Sequence, residues 1–159
     1  GRSAEAAALL NAAEAERPHL VGASDGRAFD DFRDFDDLTS SFFEVLTTTG
    51  KYYWIPMERV ELIEFHEPVR PRDLLWRRVH MVVRGGPDGE VFLPVLYPGS
   101  QTDPDDRVKL GRATNWRGGE NAPVQGAGQR MFVLGDEDAG ILQLKQLTIT
   151  ASAAEAENA

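Results

Sequence analysis

Apolar residues recur along this chain with two different periods, and the change falls near residue 50. Residues 4–16 (AEAAALLNAAEAE) are strong helix formers, with Ser3 placed as an N-cap and Pro18 ending the run, so the pattern predicts a helix there. A small face of Ala4, Ala8, Ala12 and Ala15 beside Leu9 suits close packing against another helix. Ser24-Asp25-Gly26 reads as a turn. Leu38, Phe42, Val45 and Leu46 return at helical spacing behind the acidic residues 30–37, predicting a second helix over residues 36–47 with carboxylates at its positive end and Gly50 after it.

From residue 51 onward, aromatic and β-branched runs alternate with Gly, Pro and Asp turns. Strands are predicted near residues 52–55, 60–66, 76–84, 90–97, 129–134 and 140–149, with hairpin loops at 85–89 and 135–140. Residues 56–60 and 72–75 suit single helical turns, with Asp73 as a cap for the second. Residues 98–128 read as an irregular polar excursion, and the Ala, Glu, Ser and Asn of 151–159 as a disordered tail. The expected fold class is α+β, with short N-terminal helices followed by a strongly bent, barrel-like antiparallel β-sheet. Trp54, Leu75, Trp76, Phe92, Leu93, Leu96, Phe132, Leu142 and Leu144 are the expected core or its rim, with Trp76 inward and Arg77 or Arg78 outward.

Composition narrows the function classes. A chain of 159 residues, 42% hydrophobic and 27% charged, fits one soluble domain. The absence of Cys excludes thiolate catalysis and Cys-based zinc sites. A net charge of -9 works against nucleic-acid binding and favours basic or apolar protein partners. No apolar run approaches the roughly 20 residues of a membrane span and the start lacks a signal-peptide pattern, so a soluble, intracellular chain without membrane insertion is expected. Gly at position 1 suggests a chain that begins inside a longer gene product.

Catalytic chemistry finds no specific motif. His19, His66 and His80 are far apart, with no i, i+4 pair. The acidic clusters at residues 30–37, 103–106 and 136–138 lack EF-hand spacing and suit solvated faces, helix starts or turns. Ser100 is outside any Gly-x-Ser-x-Gly elbow and suits a turn, and residues 126–130 lack the Lys-Ser/Thr of a phosphate loop. Arg70, Arg72, Arg77 and Arg78 form the main basic concentration, and internal pairing is favoured over an external ligand. No catalytic, metal or cofactor-binding residue is assigned, and no cofactor is expected. The candidate partner-binding residues are Trp54, Arg72, Arg77, Arg78, Tyr97 and Trp116, aromatics and arginines of the kind enriched at binding hot spots.

Four blocks carry a family resemblance: residues 50–56 (GKYYWIP), 71–78 (PRDLLWRR), 89–100 (GEVFLPVLYPGS) and 110–116 (LGRATNW). Together they resemble the ImpE/TagJ (SciE-type) family, accessory proteins of bacterial type VI secretion systems, and the likeness runs in order from about Arg17 to Thr148. The resemblance implies a cytoplasmic, non-enzymatic adaptor that binds sheath or related apparatus components, in one branch through the N-terminal helix of the small sheath subunit. It also implies a division into 1–22 as the last helix of a truncated helical-repeat region, 23–150 as the C-terminal domain, and 151–159 as tail. The expected binding mode is an amphipathic helix in an apolar groove between the sheet and the helix at 36–47. The alternatives are a small hydrolase or carbohydrate-active domain using acidic loop residues such as Asp103, Asp105 or Asp136, and a purely structural cap on the helical repeat.

Overall fold

The computed structural model describes residues 2–120 and 122–152. The described chain is mostly β, which corrects the α+β, barrel-like expectation. One long helix, α1 (Arg2–Glu16), precedes the strands β1 (Leu20–Ser24), β2 (Arg27–Phe29), β3 (Phe32–Asp34), β4 (Phe42–Thr47), β5 (Tyr52–Pro56), β6 (Val60–Phe65), β7 (Trp76–Val83) and β8 (Asp88–Pro94). Then come the short α2 (Asp106–Lys109) and β9 (Thr114–Gly119), β10 (Ala122–Gly128), β11 (Met131–Leu134), β12 (Glu137–Gly140) and β13 (Gln146–Ser152). Eight strands form an open antiparallel sheet in the order β2-β1-β13-β6-β7-β8-β4-β5, so among the described residues β2 and β5 are free edges and no barrel closes. Strands β12-β11-β3 form a second sheet, and β10-β9 pair separately.

The predicted helix at 36–47 is absent. Aspartates compete there for the backbone that a helix would need. Asp34 accepts from the Asp36 N–H, and Asp36 accepts from the N–H groups of Leu38 and, across the fold, Gly126. This fixes a turn that delivers Phe42–Thr47 as a strand, where alternation buries Phe43 and Val45. The excursion at 98–128 likewise contains α2 and the β9-β10 hairpin. The expected strand over 140–149 is split, because the chain leaves the small sheet at Gly140 and joins the large one at Gln146.

The β1-β2 hairpin turns through Asp25 and Gly26, both at positive φ (50° and 82°), the mirror-image turn that matches strand twist and favours Asp-Gly. Asp25 also accepts from the N–H groups of Lys145 and Gln146, locking the hairpin to β13. β1 runs across residue 22, where the expected boundary between the first two segments fell. Arg17 secures α1 to the β-structure, donating to Glu14 and Asp31 and to the Phe32 carbonyl. Burial opposes the Arg17 charge, yet Asp31 and Glu14 outweigh it and raise its pKa. Ala151 and Ser152, expected in the tail, belong to β13, while residues 153–159 lie outside the described residues.

The core fills the space between the two sheets. Phe32 and Phe132 stack at 5.2 Å and both meet Phe43, at 6.0 and 5.9 Å. Leu93, Phe132 and Leu144 are buried as expected, and Phe92, Leu96 and Leu142 are half-buried. Trp54, Leu75 and Trp76 are exposed instead. The parity of β7 explains the last: Arg77, Val79 and Met81 share the core face, so Trp76 and Arg78 face outward. Buried Arg77 donates to the carbonyl of His66 (2.7 Å), just past β6, and to those of Ile141 (3.1 Å) and Leu144 (3.2 Å) in the break between β12 and β13. Burial pulls the Arg77 pKa below its ordinary value. No helix among the described residues is long and apolar enough to cross a membrane.

Candidate functional site

An apolar trough of about 740 Å³ lies beside the edge strand β5, on the same sheet face as the core. Cross-strand pairing builds it. Val45 opposes Tyr53, and on the neighbouring strands Val91 opposes Val79 and Gly89 opposes Met81. Ile55, Val83 and Val91 are half-buried and pack against the core at its margin, while Tyr53 stands exposed as the outer wall. Lys51 and Arg59 bring positive charge to its margin, while the carboxylates of Asp88 and Glu90, whose backbone borders it, turn to His80, His66 and Arg78 on the outer face. An apolar floor with a charged margin offers a partner hydrophobic burial at the centre and polar selectivity around it.

The opposite face of β5 carries Tyr52 and Trp54. Trp54 stacks on Phe42 at 4.6 Å and 19°, and its Nε1–H donates to the Tyr52 hydroxyl (2.8 Å), which donates to Glu44. Glu44 continues inward. It accepts from Arg130, whose Nη1 donates to Asp34 (2.7 Å) and Thr39 (3.2 Å) beneath the Tyr97 ring, 5.0 Å from the guanidinium. The Tyr97 hydroxyl donates to Asp34 at 2.6 Å. A continuous polar chain therefore ties the exposed aromatics of β5 to the buried Asp34.

The electrostatics of this chain follow from burial. Burial opposes the Arg130 charge, yet Asp34 and Glu44 more than offset it and hold its pKa above the ordinary value. Burial pushes the Asp34 carboxyl up against the pull of Arg130 and Tyr97, and burial together with Asp34 raises the Tyr97 phenol. Buried and mutually bonded, these groups serve to position one another.

The six predicted partner-binding residues are not brought together. Trp54 borders the trough, with its ring turned to the opposite face of β5. Arg77 and Tyr97 are buried and structural. Arg72 lies on an exposed single turn 3.7 Å from Asp73, and Arg78 is held by Glu90 at 2.6 Å on the outer face. Trp116, partly exposed, leans on Tyr97 and Phe35. Asp73 caps that turn, accepting from the N–H groups of Val69 and Arg70.

The catalytic alternative receives little geometry. Asp103 accepts from the N–H of Asp105 and from Asn115, and Asp105 caps α2 and pairs with Arg107, which holds its carboxyl below the usual range. Asp136 instead lines a polar cavity of about 650 Å³ between the β1-β2 and β11-β12 turns, to which neither Asp103 nor Asp105 contributes. His66 and His80, distant in sequence, meet around Glu90 on adjacent strands at 3.0 and 3.5 Å. No group of three or more His, Cys, Asp or Glu among the described residues is placed to hold a metal.

The trough residues escaped the sequence reading because Val45 was assigned to a helix. Alternation across residues 42–47, with Phe43 and Val45 on one face, was the signal that could have found them.

A family model described as ImpE protein matches residues 26–148. The chain is 29% identical over 147 residues to the type VI secretion system accessory component TagJ of Pseudomonas aeruginosa, covering 92% of this chain and 50% of that protein. The crystal structure of protein VPA1032 from Vibrio parahaemolyticus superposes with a TM-score of 0.81 at 25% identity, covering 92% of this chain and 55% of that one. The chain thus spans about half the length of these relatives.

Proposed function

Because the chain belongs to the ImpE family, we propose that it is a non-enzymatic accessory component of a bacterial type VI secretion system that binds a helix of a sheath subunit in the trough beside β5. The likeness to TagJ supports the pathway. The observation that carries the binding mode is the trough itself: half-buried Ile55, Val83 and Val91 at the margin of the core, walled by exposed Tyr53. An amphipathic helix docks into such a surface with apolar anchors at i, i+3 or i+4, and i+7.

The polar chain from Trp54 to Asp34 holds β5 from its other face and so stiffens the strand that walls the trough. A wall fixed before binding loses little conformational entropy on binding, which raises affinity for a given contact area. The contact takes place in the cytoplasm, where the sheath subunits reside in this reading. The test is co-purification of sheath subunits with this chain. Retention by the wild type and loss on Val83→Glu is expected; failure of both this chain and its full-length form to retain any apparatus component sinks the proposal.

A further inference from the structure

We propose that β5 is also the seam of a homodimer, in which the β5 strands of two copies pair antiparallel about Trp54 and join two eight-stranded sheets into one. Three observations carry it, independently of the sheath reading.

The first is the direction of the unpaired backbone groups. In the β4-β5 ladder, the Thr47 N–H donates to the Lys51 carbonyl and the Met57 N–H to the Ser41 carbonyl. In the same register Val45 opposes Tyr53 and Phe43 opposes Ile55. Antiparallel strands alternate bonded and non-bonded pairs, so Tyr53 and Ile55 bond to β4. Tyr52 and Trp54 therefore aim both N–H and C=O away from the sheet, while Pro56 offers its carbonyl alone.

The second is that this edge is undefended. Soluble proteins blunt exposed edges with short strands or charges, and β2 does so at the other end of the sheet: it has three residues, and Arg27 is paired with Glu137. β5 presents Tyr52, Tyr53 and Trp54 at 51%, 48% and 65% exposure. Its one edge device, Pro56, leaves the Tyr52 and Trp54 donors open.

The third is a self-complementary charge pattern. Lys51 precedes the strand and Glu58 follows it, both exposed. A second β5 paired antiparallel with Trp54 opposite its counterpart makes four backbone bonds: Trp54 to Trp54 in both directions, and each Tyr52 N–H to the other copy's Pro56 carbonyl. In that register Lys51, just before β5, comes up to the end of the other copy's β5, where the chain turns through Met57–Arg59 and carries exposed Glu58, and the twofold axis repeats the pair. This is the isologous arrangement of a twofold interface. A different protein's strand has no reason to match it.

The geometry also joins the two troughs. Tyr53 of one copy lies across the seam from Ile55 of the other, extending the apolar surface over both chains. A seam of this size falls in the small interface class, with dissociation constants of about micromolar order.

The experiment is sedimentation equilibrium of the 159-residue chain across concentration at moderate salt, which screens the repulsion between two copies of charge -9. The expected mass rises from 17.6 kDa towards twice that value. Trp54→Pro deletes an outward N–H that the β4-β5 ladder does not use, so the fold tolerates it, and it is expected to weaken association at least about tenfold, whereas Trp54→Phe retains it. Lys51→Glu and Glu58→Lys should each weaken association, and the double exchange should restore it, which keeps the test valid if the Pro variant folds poorly. A chain that stays monomeric at all concentrations overturns the proposal. So does association unchanged by Trp54→Pro and by both single charge exchanges.

Discussion

Replacing Arg130 by Met should be among the most destabilising single changes in this fold. The guanidinium is 3% exposed and serves two carboxylates, Asp34 at 0% exposure and Glu44. Met fills much of the volume but removes two charge-assisted hydrogen bonds, each worth about 1.5–3 kcal/mol. It also leaves Asp34 buried with the Tyr97 hydroxyl and the Asp36 N–H as remaining donors. Breaking one side of a buried pair in this way costs about 3–5 kcal/mol, a large share of the roughly 5–15 kcal/mol that holds a domain together. With a urea slope of about 2 kcal/mol per molar, the unfolding midpoint should fall by about 2 M. A double-mutant cycle with Asp34→Asn should show coupling of at least about 1.5 kcal/mol, since removing both partners relieves the stranded charge. A loss below about 1 kcal/mol, or an additive cycle, would refute the assignment of this pair as the organising contact behind β4 and β5.

Other substitutions probe separate links. Gly126→Ala places a methyl group inside the Tyr97 ring, and because that ring is pinned by Asp34, overpacking of about 2–3 kcal/mol is expected in chemical denaturation. Arg77→Met strands the carbonyls of His66, Ile141 and Leu144; it should cost about 3 kcal/mol and speed amide exchange over residues 141–147, whereas Arg78→Met on the outer face should stay within about 0.5 kcal/mol of wild type. The Asp31 carboxyl is partly desolvated, but Arg17 outweighs that and holds its folded pKa below the ordinary value. Its stabilisation is therefore complete above the unfolded pKa of about 4 and lost as pH falls through the lower folded value. Asp31→Asn should flatten that part of the acid limb in melting curves.

The strands from residue 52 to 94 were legible because each carries its own punctuation, such as Pro56 before a single turn and Gly85 in a hairpin. Helix α1 was legible from Ala density alone. The stretch from Asp34 to Leu46 was not. Its carboxylates suited a helix start equally well, and only the distant Arg130 and Gly126 determine that they fold inward. The same long-range partnership hid the burial of Arg77, whose acceptors lie more than sixty residues away at Ile141 and Leu144. Trp54 was placed in a strand, as observed, but expecting it in the core required a neighbour beyond β5, and among the described residues the sheet ends there. Periodicity assigns faces; it does not show which strand ends the sheet.

The most direct test of the trough as a partner site is calorimetric titration of the chain with a peptide spanning the N-terminal helix of the small sheath subunit. Binding at about micromolar affinity is predicted, weakened at least about tenfold by Val83→Glu in a variant whose melting curve shows it folded, and unchanged by Trp76→Phe on the other face of the sheet. Absence of binding, or equal binding by Val83→Glu, would contradict the account.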